Sequence, residues 1–82
     1  MKKLKIMQMS YGVSRCRYAI VKEFVEGTRE ETLYIVAELP FFDDDNDMKL
    51  RADLLGAIAY KNHSDAVEDY QTRLTRDYQL II

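Results

Sequence analysis

The residues with the clearest chemical potential form an acidic run, in which four carboxylates fall within five positions: Asp43, Asp44, Asp45 and Asp47. The alternation of Asp43, Asp45 and Asp47 matches the first ligands of an EF-hand calcium loop. Such a loop also needs a glycine at its sixth position and a glutamate at its twelfth. This chain has Met48 and Leu54 there, so the run does not predict a calcium site.

Two interpretations of the acidic run remain open. Carboxylates at a helix N-terminus are each stabilised by about 0.3–1 kcal/mol when exposed, through unpaired N–H groups and the helix dipole. This accounts for one or two of them, and Asp47 can also pair with Arg51 four residues on. The other interpretation is a surface that binds a basic protein partner, with two phenylalanines as apolar anchors. Its residues are Phe41, Phe42, Asp43, Asp44, Asp45 and Asp47.

The run belongs to a wider asymmetry of charge. Residues 1–37 carry seven Lys or Arg and four Glu, for a charge of +3, whereas residues 38–82 carry five Lys or Arg and ten Asp or Glu, for −5. Asp65, Glu68 and Asp69 form a second acidic group on one side of a predicted helix. Asp69 is expected to pair with Arg73, as on an ordinary solvated helix face.

The basic residues Arg15, Arg17 and Lys22 suggest an alternative function. With Tyr11 and Tyr18 they resemble a platform for single-stranded nucleic acid, on which charge follows the phosphates and rings stack on bases. However, the chain is acidic overall and has no RNP-like motif, so we do not expect direct nucleic-acid binding. We expect Tyr18 in or beside the core and the arginines in solvent.

No residue set predicts catalysis or a cofactor. His63, Ser64 and Asp65 are contiguous, whereas a catalytic triad needs these types brought together by the fold. Cys16 falls on a predicted strand beside apolar residues, where a cysteine tends to be inert as a nucleophile, and no phosphate-binding glycine motif occurs. With one Cys and one His, no metal framework is expected. We therefore predict a non-enzymatic protein; an active site formed between two copies is the third hypothesis.

Length and composition bound the remaining expectations. Eighty-two residues predict a single domain over 1–82. A core this small gains stability from a second copy, so we expect a dimer. The lone thiol fits the reducing cytoplasm, and no stretch approaches the roughly 20 apolar residues of a membrane span.

The pattern along the chain predicts an antiparallel sheet first. Alternation indicates a strand over 3–11, and β-branched and aromatic residues indicate a second over 15–25. A turn near Gly27 leads to a third strand over 32–39, which Pro40 ends.

Helical spacing then predicts one helix from about Asn46 to Asn62 and another from Asp65 to Thr75, and residues 78–82 suggest a last strand. The predicted fold is α+β: a small antiparallel sheet with two helices on one face, in the order β-β-β-α-α-β.

This profile of a short, acidic α+β chain without a catalytic set resembles small accessory proteins of phages and mobile elements. These include anti-CRISPR and anti-restriction inhibitors, some of which act as nucleic-acid mimics by presenting carboxylates where a target expects phosphates. The resemblance implies a protein-binding inhibitor that uses the acidic run against a basic, nucleic-acid-facing site of a larger protein. The alternative is a single-stranded nucleic-acid-binding protein that uses Arg15, Arg17 and Lys22.

Overall fold

The structure, a computed structural model, describes residues 2–14, 16–28, 31–40, 50, 51 and 53–79. Across these ranges the chain forms four strands and then one helix. They are β1 (Lys3–Tyr11), β2 (Cys16–Phe24), β3 (Leu33–Pro40), β4 (Ile58–Tyr60) and α1 (His63–Gln79). The strands form one antiparallel sheet in sequence order. In these ranges no helix is both long and apolar enough to cross a bilayer.

The β2–β3 hairpin is the centre of the sheet and confirms the prediction of a turn at Gly27. Gly27 has a φ of 86°, a conformation that glycine adopts without steric cost. Residues 18–21 of β2 are all buried, because the sheet is covered on both faces. A strand buried on both faces has an unbroken apolar sequence rather than an alternating one.

Each face of the hairpin has its own apolar cluster. On one face, Ala66 and Tyr70 of α1 pack against Tyr18, Ile20 and Val36. On the other face, Leu50 packs on four buried residues of β2 and β3, which are Ala19, Val21, Ala37 and Leu39. The helix therefore covers one face, and Leu50, Leu54 and Ala57 contribute to covering the other.

The predicted order with two helices and a last strand is wrong. Residues 58–60, placed in the first predicted helix, form β4 and pair with Tyr34–Val36. Leu50, Arg51 and Asp53 have helical backbone, but a turn with Gly56 at a φ of 80° follows, and that conformation ends a helix. Tyr78 and Gln79, placed in the last strand, belong to α1. The observed order is β-β-β-β-α.

Both errors have a physical cause. Ile58, Ala59 and Tyr60 fit helical spacing, but they also complete the sheet by pairing with β3, which outweighs local propensity. The helix begins at His63, two residues before its predicted start, and runs four residues beyond Thr75. The last turns of α1 are stabilised by tertiary hydrogen bonds that Asp77 accepts from Ser14 and Tyr18. No local sequence pattern indicates these bonds.

Candidate functional site

A polar groove lies between α1 and the β3–β4 side of the sheet. Its main part has a volume of about 550 Å³ and is lined by Ser14, Tyr18, Glu38, Ile58, Tyr60, Asp69, Arg73, Arg76 and Asp77. A shallower part of about 350 Å³ shares Tyr60, Asp69 and Arg76 with it and adds Asp65, Glu68 and Thr72. The helix contributes most of the charged residues, because positions three and four apart lie on one side of a helix.

An ion-pair network crosses the middle of the groove. Arg73 donates from Nε to Asp69 Oδ1 at 2.9 Å, which confirms the predicted pair, and its Nη1 lies 3.5 Å from Glu38 Oε1. The Tyr60 hydroxyl donates to Asp69 Oδ2 at 2.7 Å. This network joins the helix to β3 and β4, so it fixes the width of the groove.

Asp77 closes one end of the groove by binding the β1–β2 turn. Its side chain is 2% exposed and accepts hydrogen bonds from the backbone amide and the hydroxyl of Ser14 and from the amide of Val13. The Tyr18 hydroxyl donates to Oδ1 at 3.1 Å. One carboxylate thus satisfies four donors and attaches the end of α1 to the sheet.

Gly12 leaves the space that the Asp77 carboxylate occupies. A Cβ at Gly12 would lie 2.8 Å from Tyr18 Cε2 and closer still to Asp77 Oδ2. We expect Gly12→Ala to reduce the free energy of unfolding by about 1–3 kcal/mol, as overpacking does. Urea denaturation measures this loss. Because part of the clash is with Asp77, Gly12→Ala combined with Asp77→Ala should cost less than the sum of the single changes; strict additivity would contradict this contact.

The pKa values of four groups in the groove are shifted further from neutral pH. Burial raises the pKa of Asp69, but hydrogen bonds from Arg73 and Tyr60 outweigh it and hold the pKa below its ordinary value. The bond from the Ser14 hydroxyl lowers the pKa of Asp77. The Asp69 carboxylate raises the pKa of Tyr60, and burial raises that of Tyr18. At neutral pH both carboxylates stay ionised and both phenols protonated, so these four groups are poorly suited to proton transfer.

The groove carries several fixed charges. Its two parts carry five carboxylates and two guanidinium groups, a formal charge of −3. Every buried polar side-chain atom in the described ranges has a hydrogen-bond partner. Within the same ranges no three His, Cys, Asp or Glu side chains come together as metal ligands. This arrangement suits recognition of a cationic surface along an open groove.

The predicted partner-binding residues, Phe41, Phe42, Asp43, Asp44, Asp45 and Asp47, lie outside the described residues. In the sequence, Asp43 follows Glu38, which lines the groove, by five positions.

The second acidic group does contribute to the groove. Asp65, Glu68 and Asp69 all line its shallower part. Asp65 and Glu68 are exposed, whereas Asp69 is held by Arg73 and Tyr60. Two of the three carboxylates are thus available to a partner at the surface.

The basic residues of β2 are arranged differently from what the sequence predicted. Arg17 is not solvated but 3% exposed, because it extends over the sheet, donates from Nε to the Pro40 carbonyl at 2.7 Å and approaches Met9 Sδ at 3.3 Å. Lys22 is half-buried, with its Nζ 5.1 Å from the centre of the Phe24 ring. Tyr18 is in the core, as predicted. Arg15 lies outside the described residues.

Cys16 and His63 are far apart. Cys16 pairs with Pro40 at one end of the β2–β3 hairpin. The His63 ring packs 5.1 Å from that of Tyr34, which pairs with Lys22. Lys22 is six positions along the strand from Cys16, a distance of about 20 Å. The two side chains therefore do not form a nucleophile–base pair.

Sequence reasoning missed the groove residues Tyr60, Glu38 and Asp77. A signal for Asp77 was present, since it follows Tyr70 and Leu74 at helical spacing and so falls on the buried side of α1. A carboxylate at such a position needs donors, and the Gly12–Ser14 turn supplies them. No comparable pattern marks Tyr60, whose position depends on the pairing of β4 with β3, or Glu38, which meets the groove through its contact with Arg73 of α1. No protein-family model matches the chain, and no curated protein or solved structure shows significant similarity to it.

Proposed function

We propose that this protein is a small, non-enzymatic protein-binding module that presents an acidic surface to a basic, nucleic-acid-facing site of a larger protein. The observation that carries the proposal is the formal charge of −3 along the groove, in which five carboxylates outnumber two guanidinium groups. The acidic run adds four carboxylates and begins five positions after Glu38 in the sequence.

The electrostatics favour binding over catalysis. The groove carboxylates with shifted pKa values, Asp69 and Asp77, remain charged at neutral pH. Fixed negative charge of this kind attracts a cationic partner and raises the rate of encounter. Some inhibitors of the anti-CRISPR and anti-restriction type work in this manner, and we propose the same mode of action here, in the cytoplasm.

The apolar part of the proposed interface has a counterpart in the groove. Ile58 lines the main part and is exposed, and Leu55 on the preceding turn is 83% exposed. Interfaces combine a few apolar anchors with a charged rim. In our proposal Phe41 and Phe42 act as further anchors beside the acidic run.

The nucleic-acid alternative gains no comparable support. Arg17 donates to a backbone carbonyl inside the structure, so it is not displayed for phosphates, and Lys22 packs over Phe24. We therefore advance protein binding alone.

Affinity capture in the native host tests this function. Wild-type protein should retain a larger protein that salt releases, because exposed charge pairs are screened over about 8–10 Å at physiological ionic strength. The variant in which Asp43, Asp44 and Asp45 are replaced by Lys should not retain it. Capture of the same protein by both baits, or capture that salt does not weaken, would contradict an acidic binding surface.

A further inference from the structure

The edge strand β1 adjoins the longest uncharged stretch of the chain. Although 32% of the residues are charged, none occurs between Lys5 and Arg15. This stretch covers the second half of β1 and the turn to β2. Among the strands of the described residues, β1 pairs with β2 alone and forms one edge of the sheet, while the three-residue β4 forms the other. An edge strand of nine residues is a ready template for another strand.

A β-bulge divides β1 into two halves of different character. Ile6 pairs with Val21 and Gln8 with Ile20, so the register shifts at Met7. The half before the bulge carries Lys3 and Lys5, and lysines on an edge discourage pairing with another chain. The half after the bulge, Gln8–Tyr11, carries no charge. The Gln8–Tyr11 half of β1 therefore lacks the charges that discourage pairing with another chain.

The uncharged half displays apolar side chains. Met9 is 38% exposed and Tyr11 is 54% exposed, and both share one face of the sheet because they pair with Ala19 and Arg17. The half-exposed Tyr78 of α1 lies beside the backbone of this half, with its hydroxyl 3.4 Å from the Tyr11 carbonyl. Methionine and tyrosine are enriched at protein interfaces.

We propose that the Gln8–Tyr11 edge is a homodimer interface, in which the same segment of a second copy pairs with it antiparallel. Pairing centred on Ser10 places Met9 of each copy opposite Tyr11 of the other, on the same face of the joined sheet. A two-fold interface meets its own surface, and an uncharged segment meets itself without repulsion. Lys3 and Lys5 lie beyond the paired segment.

A second copy fits this edge better than the cationic partner proposed for the groove. A cationic protein would gain no electrostatic attraction from an uncharged edge, whereas backbone pairing and apolar contact suit an identical strand. The groove carboxylates other than Asp77 lie on α1 and on β3, which β2 separates from β1, whereas Ser14 of the β1–β2 turn lines the nearer end of the groove. Pairing at the outer edge of β1 uses none of those carboxylates, and it does not depend on the proposed function of the groove.

Sedimentation velocity over a range of protein concentrations tests the proposal. Wild-type protein is expected to dimerise, and Met9→Lys to raise the dimer dissociation constant at least about tenfold by placing a charge within the paired segment. Ile58→Lys is the matched control, because it puts the same charge on an exposed apolar residue of the opposite edge. The control should dimerise like wild type.

A second variant, hydrogen exchange and the dependence on salt test the same proposal. Tyr11→Lys repeats the test if Met9→Lys does not fold, as judged by circular dichroism. Hydrogen exchange of the wild type should show that amides of residues 8–11 gain protection with rising concentration. Because the segment is uncharged, raising the salt concentration should not weaken the dimer, which separates this result from salt-sensitive binding at the groove. A monomer at high concentration, or a dimer that survives Met9→Lys, would overturn the proposal.

Discussion

Replacing Asp77 by Asn is expected to lower the melting temperature by roughly 10 °C or more. The carboxylate accepts from Val13, from two groups of Ser14 and from Tyr18. An amide of the same shape keeps one oxygen and turns an NH₂ group toward donors, so buried donors lose their partners. Thermal unfolding followed by circular dichroism measures the effect.

Asp65→Asn is the control for this change. It removes the same charge from the same helix, but at an exposed position near the first turn. There the loss of helix-dipole stabilisation is small. A similar fall in melting temperature for both variants would show that the loss at Asp77 does not come from its hydrogen bonds to the β1–β2 turn.

The stabilisation by Asp77 should also depend on pH. Its pKa in the folded protein is lowered from the ordinary value of 3.8, so folding favours the ionised form. Its contribution is complete above 3.8 and is lost as the pH falls through the lower folded-state pKa. The difference in stability between wild type and Asp77→Asn should therefore narrow in acid. A difference that stayed constant from neutral pH to strong acid would contradict a stabilising role of the ionised carboxylate.

Reversal of the acidic run should have the largest effect on binding. Replacing Asp43, Asp44 and Asp45 by Lys changes the net charge by +6 and should slow association with the captured partner by about tenfold or more, since exposed interfacial charges act mainly on the encounter rate. Thermal stability should change far less. Stopped-flow or surface-based kinetics at low salt measure the association rate.

A charge-matched variant controls for the change in net charge. Replacing Glu23, Glu26 and Glu31 by Lys also adds six charges, but at the turn end of the β2–β3 hairpin, away from Pro40. Two of these glutamates pair with lysines of the N-terminal region, so stability is checked in parallel. If both variants slowed association equally, the long-range charge of the whole protein would explain binding, and the acidic run would have no special role.

The first half of the fold could be predicted because local signals and packing agree there. Alternation marked β1, and the apolar runs on either side of Gly27 marked β2 and β3. The second half could not, because Ile58 and Tyr60 take their conformation from pairing with β3. The bulge at Met7 was also missed, since alternation carries no sign of an inserted residue.

The candidate site was predictable only where its residues are neighbours in sequence. The Asp69–Arg73 pair follows from helical spacing. The contact of Arg73 with Glu38, which joins residues 35 positions apart, requires the fold. Arg17 is the converse case: its charge suggested a solvated side chain, yet its apolar stem packs on the sheet and its guanidinium finds a backbone acceptor.

The most direct test of the central claim is a binding titration of the captured partner at low and at high salt. It compares wild type, the Asp43/Asp44/Asp45→Lys variant and the charge-matched Glu variant. An acidic binding surface predicts tight binding of wild type at low salt, weaker binding at high salt, and a loss of affinity in the Asp variant well beyond that in the Glu variant. Equal affinity of wild type and the Asp variant at both salt concentrations would contradict it.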